Sequence, residues 1–361
     1  MSGPGRSARD ERRWRGACRQ RPGARRRRPV AWLTRCGIRL VLLGCVVMAG
    51  ATSLVSPQTT QAQARREQSD ALAGTVRSFE DVLGHQVRWS EPPSRIVSLS
   101  PSITEILFSI GCDTNSIVGV TRFCTYPPQA AVIPQVGGVV DPSLEVVLAR
   151  EPDLVLATRG NPLEFMASLV SLGLPVYALE TRGDLGQIIE TIRAAGSVSG
   201  RDDGARALIR RLHEHRDRVE RRTVGLDSTH RPRVYYGELE GALWTAGPGS
   251  YLNDLIWGAG GANVAAGAPS AWCALSLEEI VAHDPQVYLG SFSGDDTSAN
   301  RAAETKRIQG FLNSHEVWSR TSLGRDPRIF LVQEDRLMRP GPRIFDVLEE
   351  FARFLHPDQW E

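Results

Sequence analysis

The sequence predicts an α/β protein of two similar Rossmann-like lobes, each with a mainly parallel central sheet, joined by one long α-helix. Three observations carry this. One phrase is written twice, Ser143-Leu144-Glu145-Val146-Val147-Leu148-Ala149-Arg150-Glu151-Pro152-Asp153-Leu154-Val155-Leu156 and then Ser276-Leu277-Glu278-Glu279-Ile280-Val281-Ala282-His283-Asp284-Pro285-Gln286-Val287-Tyr288-Leu289, offset by 133 residues with six of fourteen pairs identical. Each copy reads as a short helix capped by Ser, with Glu in its first turn and a Pro that cannot continue it, then an apolar strand. Strand and helix signals also alternate along most of the chain, the pattern of a parallel sheet. Between the two copies, Ala205, Leu208, Ile209, Leu212 and Val219 mark one face of Asp202 to Arg222, with arginines and acids on the other. That stretch predicts a strut of about 21 residues, roughly 32 Å long.

The N-terminal end has its own signature. Residues 1–39 hold 13 arginines against Asp10 and Glu11, Leu40 to Val55 is uncharged and mostly apolar, and the polar stretch Ser56 to Ala64 ends Ala62-Gln63-Ala64. A basic n-region, an apolar h-region and a small-residue cleavage site make 1–64 a signal peptide and place the protein in a periplasmic or extracytoplasmic compartment. An uncleaved N-terminal anchor is the other reading of this segment, although its apolar run is short against the about 20 residues a span needs. Leu42-Leu43-Gly44-Cys45 matches a lipoprotein cleavage box, but little apolar sequence precedes it. Cleavage after Ala64 leaves 297 residues with 30 basic and 39 acidic side chains, although the full chain carries a formal +2. That acidic balance argues against a nucleic-acid partner.

Three cysteines survive such processing: Cys112, Cys124 and Cys273. None pairs at zinc-motif spacing, and an odd number leaves at least one thiol unpaired within the chain. A Cys112–Cys124 bond and three free thiols are both open in an oxidising compartment.

Taken in order, residues 65–74 read as a flexible lead-in and 75–200 as the N-terminal lobe. Thr75 to Trp89 alternates like strand, and Ile96-Val97-Ser98-Leu99 is a short apolar strand reached through Pro92-Pro93. Ser100 and Ser102 sit where an N-cap belongs, and Ile103, Ile106, Leu107 and Ile110 recur at helical spacing until Gly111. Ile117 to Thr121 is the next strand, and the first copy of the repeat adds a helix and a strand. Leu163 to Leu172 then forms a helix closed by Gly173, leading to the strand Val176 to Leu179. Residues 201–224 are the connecting helix. The C-terminal lobe, 225–361, opens on the strand Arg233 to Tyr236 and repeats the alternation to about Leu355. At these lengths each lobe is large enough for its own core.

Several segments, in this order, resemble the periplasmic substrate-binding proteins of ABC importers whose lobes are joined by a single helix (class III), most like the cobalamin-binding type. They are Arg95-Ile96-Val97-Ser98-Leu99-Ser100-Pro101-Ser102-Ile103-Thr104-Glu105, Val118-Gly119-Val120-Thr121, Tyr126-Pro127-Pro128-Gln129-Ala130, Trp244-Thr245-Ala246-Gly247, Gly260-Gly261-Ala262-Asn263-Val264, Ala271-Trp272 and Pro340-Gly341-Pro342-Arg343. The resemblance covers about residues 75 to 358 and implies a ligand cleft between the lobes. It implies that Tyr126, Trp244 and Trp272 line that cleft, and that Glu145 and Glu278 project from the lobe tips to meet arginines of the membrane permease. Arg339 precedes a Pro-Gly-Pro turn that would aim it into the cleft, with a solvated arginine as the other reading. The implied function is capture of a cobalt corrinoid and delivery to an ABC permease and its ATPase, by a chain that is monomeric when free and needs no cofactor of its own. Two departures stand out: Val136-Gly137-Gly138-Val139-Val140 and Thr158 carry no ring where that type offers aromatics.

The alternatives rest on other residues. A haem or ferric-siderophore receptor could use Tyr126 on iron and Arg122, Arg159 or Arg339 on carboxylates. The histidines, His85, His213, His215, His230, His283, His315 and His356, all lie outside the matched cleft segments, which disfavours a zinc or manganese receptor. Cys124 and Cys273 each neighbour a cleft aromatic, one per lobe, and could face one another across the gap. An exported enzyme would need Asp254, Glu238 or Glu240 as acid–base groups, with no nucleophile elbow, phosphate loop or triad beside them.

Overall fold

The computed structural model describes residues 76–227 and 229–361; the signal segment and lead-in inferred above lie outside the described residues. An antiparallel hairpin, β1 (Arg77–Glu80) and β2 (Gln86–Trp89), opens the N-terminal lobe. Asp81 closes its turn by accepting from the amides of Leu83 and His85 at 2.8 Å each.

Then β3 (Ile96–Ser98), α1 (Pro101–Ser109), β4 (Ile117–Val120), α2 (Leu144–Leu148), β5 (Leu154–Thr158), α3 (Leu163–Ser171), β6 (Val176–Leu179) and α4 (Leu185–Val198) follow in alternation. The strands pair in parallel in the order β4-β3-β5-β6. After α5 (Asp202–Thr223), the second lobe runs β7 (Arg233–Tyr236), β8 (Trp244–Ala246), α6 (Tyr251–Gly258), β9 (Ala262–Asn263), β10 (Trp272–Ala274), α7 (Leu277–His283) and β11 (Val287–Phe292). It ends with α8 (Ser298–Ser314), α9 (Ser322–Arg325), β12 (Arg328–Gln333), α10 (Glu334–Met338) and α11 (Ile344–Leu355). Here the parallel order is β9-β7-β11-β12.

Both sheets therefore share one topology: second strand, first, third, fourth. The doubled phrase falls on corresponding elements, α2–β5 and α7–β11. Such an order reverses direction between its first and third strands, so a crevice opens at the carboxyl ends of β3 and β5 in one lobe and of β7 and β11 in the other.

Period-two side-chain alternation assigns each sheet face to a layer. Ile96, Leu154 and Leu156 point into one apolar cluster, while Val97, Val155 and Ala157 point into another. In the second lobe Val234, Val287 and Leu289 join the first cluster, and Tyr235, Tyr288 and Leu331 form a third.

The cluster shared by both sheets runs through α5. Its Ala205, Leu208, Ile209, Leu212 and Val219 are buried, and α5 packs on α1 and α4 of the first lobe and on α6 and α11 of the second. Each lobe also keeps an apolar cluster of its own on the outer face of its sheet. The strut's apolar stripe is wide enough to bury against both lobes, so the inner faces of the two sheets share one core. Close approach at its start requires glycine: a Cβ on Gly204 would collide with the Ile110 carbonyl at the end of α1. Arg77 of β1 clamps the same end through Asp202, donating from Nη1 at 2.6 Å.

Candidate ligand cleft and lobe tips

The antiparallel pair β8–β10 sits beside the C-terminal crevice, with Trp272 opposite Ala246 and Trp244 opposite Ala274. Alternate residues of a strand share a face, so the two indoles lie diagonally on one side of the ribbon while Cys273 turns to the other. Both rings are conspicuous for their exposure, 51% for Trp244 and 41% for Trp272. Trp272 is held edge-on by Tyr236 and by Tyr251, with ring centres 6.4 Å apart in each case. It opens the short strand β10.

Beneath the indoles is a cavity of about 500 Å³, lined also by Tyr236, Glu238, Glu240, Tyr288, Arg307, Glu334 and Met338. Glu334 and Met338 also line a second cavity of about 550 Å³, which reaches the first lobe at Pro101, Phe123, Thr125 and Val139. The two cavities adjoin at these side chains and make up the groove between the ribbon and the lobe interface. Burial pushes the Tyr236 hydroxyl up to about 12, and burial raises Tyr288 as well. The Tyr236 hydroxyl donates to the Met338 sulfur at 3.2 Å, and that of Tyr288 to the Gly237 carbonyl at 3.0 Å.

Arg339 does reach the groove, yet it is engaged. It lies 3.5 Å from Glu105 and from Asp335, and donates to Thr125 Oγ1 at 3.3 Å. Glu105, on α1, is almost fully buried and accepts from Arg343 Nε and Nη2 at 2.8 and 2.6 Å. Burial raises the Glu105 carboxyl, and the Arg343 guanidinium pulls the other way.

Tyr126 is placed differently from expectation. It lines a separate cavity of about 400 Å³ with Phe108, Asp113 and Pro127, and the Arg343 guanidinium covers its ring at 4.1 Å. The structure thus brings together Trp244 and Trp272, puts Arg339 at the far end of the same groove, and leaves Tyr126 behind the Arg343 side chain.

The cysteine proposal is also corrected. Cys124 is buried, with its sulfur 3.1 Å from Thr104 Oγ1 and 3.2 Å from Thr121 Oγ1, and Cys273 faces away from the indoles. All three thiols are free, and burial raises each, which works against thiolate. Asp254 is not paired with an acid–base partner in a cavity; it accepts from the Leu185 amide at 3.2 Å, joining α6 to the start of α4, and burial raises its carboxyl. Among the described residues no three His, Cys, Asp or Glu side chains converge as a metal-holding group.

At the lobe tips, Ser143 Oγ accepts from the Val146 amide and Ser276 Oγ from the Glu279 amide, fixing α2 and α7 alike. In the second copy the capping box is completed by Glu279, whose carboxylate accepts from the Ser276 amide at 2.8 Å. Glu278 is therefore not used as a cap. Glu145 and Glu278 are both exposed, and neither forms an ion pair among the described residues.

Sequence reasoning missed the lining role of Tyr236, Glu238 and Met338 and the whole Glu105–Arg343 contact. The signal for the first was available: Tyr236 ends β7, the first strand of its sheet, where the topological switch places ligands.

Two α/β lobes of identical strand order, one connecting helix and a groove between them define a two-lobed solute-binding protein. The chain belongs to the periplasmic binding protein family, whose model matches residues 96–335. Among relatives, a cobalamin-binding protein of Halobacterium salinarum is 28% identical over 86% of this chain and 83% of its own length. A vitamin B12-binding protein of Salmonella typhimurium is 30% identical over 74% of this chain and 92% of its own. Of solved structures, a periplasmic haem-binding protein of Roseiflexus in apo form is similar at 25% identity with a TM-score of 0.61, covering 74% of this chain and 99% of that one. The family is one of binding proteins rather than of enzymes, and its name places its members outside the cytoplasm.

Proposed function

We propose that this protein is the extracytoplasmic substrate-binding component of an ABC importer, capturing cobalamin or a related corrinoid and passing it to the permease. The observation that carries the ligand is the pair of exposed indoles on one face of β8–β10 above a groove, in a chain whose relatives are named for cobalamin and vitamin B12. A broad, nearly flat macrocycle matches two rings side by side. Covering the exposed half of one indole removes about 100 Å² from water, worth ~2–3 kcal/mol before losses. The shared core through α5 limits how far the lobes can part, so closure on the ligand is modest. The corrinoid is cargo, no cofactor is needed, and no chemistry is done on it.

Glu145 and Glu278 then serve as the docking pair. Two unpaired carboxylates at matching positions of two lobes, held apart by one shared core, give a two-point electrostatic contact that fixes orientation on a basic partner. ATP is spent by that partner.

Titration of the purified protein with cobalamin, cobinamide, haem and a ferric siderophore, followed by visible spectrum and tryptophan quenching, tests the reading. Corrinoid affinity well below micromolar is expected. Corrinoid binding no tighter than about micromolar, ~8 kcal/mol, overturns it in favour of whichever iron chelate binds.

A further inference from the structure

We infer that the cleft selects by charge, accepting a macrocycle edged with neutral amides and rejecting one edged with carboxylates. This rests on the corrinoid reading and deepens it.

Every arginine near the groove has a carboxylate partner. Arg122 is bidentate with Asp141 at 2.9 Å, Arg159 pairs with Glu180 at 2.7 Å, and Arg339 lies between Glu105 and Asp335. Arg307, the one cation among the described residues lining the indole cavity, is bound by Glu304 of its own helix at 2.7 Å. The carboxylates of that cavity are in the opposite condition. Among the described residues Glu238 and Glu240 are exposed and form no ion pair, and Glu334 accepts only from the Ser293 hydroxyl, at 2.5 Å. A ligand stacked on Trp244 and Trp272 thus meets a negative rim with spare acceptors.

Amide N–H groups at a ring periphery would donate to those acceptors. A carboxylate in the same place would face like charge and find no unpaired guanidinium among the described residues, and repulsion between partly solvated charges a few ångströms apart weakens its binding. Selection against the anion follows from the unequal pairing on the two sides of the groove, not from the shape of the ring.

The test compares cyanocobalamin with its monocarboxylic acid, in which one peripheral amide is hydrolysed, by tryptophan quenching at low and high salt. The amide form is expected to bind about five- to tenfold tighter at low salt, a ratio that shrinks in high salt as charges are screened. The double variant Glu238→Gln/Glu240→Gln, checked for folding by its melting temperature, is expected to bring the ratio below about twofold. Equal affinity for the two ligands in the unmodified protein overturns the inference and leaves the corrinoid reading standing, as does a salt-independent ratio or one the double variant keeps. Failure of both corrinoids to bind, with tight binding of haem, overturns the parent reading and this inference together.

Discussion

Glu105 and Arg343, 238 residues apart, form a buried bidentate ion pair that ties the first helix of the N-terminal lobe to the entry of the last helix of the chain. Arg339 and Asp335 extend it into a four-charge cluster, and Arg343 also roofs Tyr126. The cluster is balanced, two cations against two anions, so removing one member leaves the rest uncompensated in a poorly hydrated place.

Glu105→Ala should therefore destabilise the fold by about 3 kcal/mol. At roughly 2–4 °C per kcal/mol for a chain near this size, the expected fall in Tm is several degrees. Differential scanning calorimetry checks it, and Arg343→Ala should cost a similar amount. A change within about a degree for both would mean that solvent reaches the cluster freely.

Trp244→Ala and Trp272→Ala should each weaken corrinoid binding by about tenfold to a hundredfold, the cost of deleting an aromatic anchor. Melting temperature should change little for Trp244, which is half exposed. Trp272 is also packed on Tyr236 and Tyr251, so its variant should lose some stability as well. Isothermal titration with the thermal melts separates the two effects.

Glu145→Ala combined with Glu278→Ala should abolish uptake in cells or transport in reconstituted vesicles while leaving ligand affinity intact. Glu279→Ala is the informative control. It removes the capping box of α7, about 1 kcal/mol, without touching either exposed carboxylate, so transport should persist. Loss of ligand binding in the double variant would refute a docking role.

His356 should make stability fall in mild acid. Burial lowers its pKa from 6.5, with Arg231 and Arg328 adding to the effect, while Nε2 sits 3.1 Å from the Gly260 carbonyl. The folded state thus binds fewer protons than the unfolded state as pH drops. The contribution is complete above 6.5 and is lost as pH falls through the depressed folded value. Melting curves from pH 7.5 to 5 should show a shallower loss in His356→Gln than in the parent; identical slopes would remove His356 from the account.

The sequence by itself determined what is local. Helix starts at Ser143 and Ser276, stops at Gly111 and Gly173, the buried β runs and the stripe on α5 all follow from caps and periodicity within a few residues, and the structure has them within a residue or two. The doubled phrase placed Glu145 and Glu278 on equivalent exposed turns for the same reason, since both copies carry their own capping signals. Trp244 and Trp272 were found as rings, and the register that puts them side by side was not, because it depends on which residues pair across the 25 between β8 and β10. Only tertiary structure decided which charges are spent. Arg339 looks the same in sequence whether solvated or held by Glu105, and Tyr126 looks the same whether it lines the main groove or lies behind Arg343. Pairing of charges is settled by which elements meet in space, and here they meet because one helix buries its apolar stripe against two lobes at once.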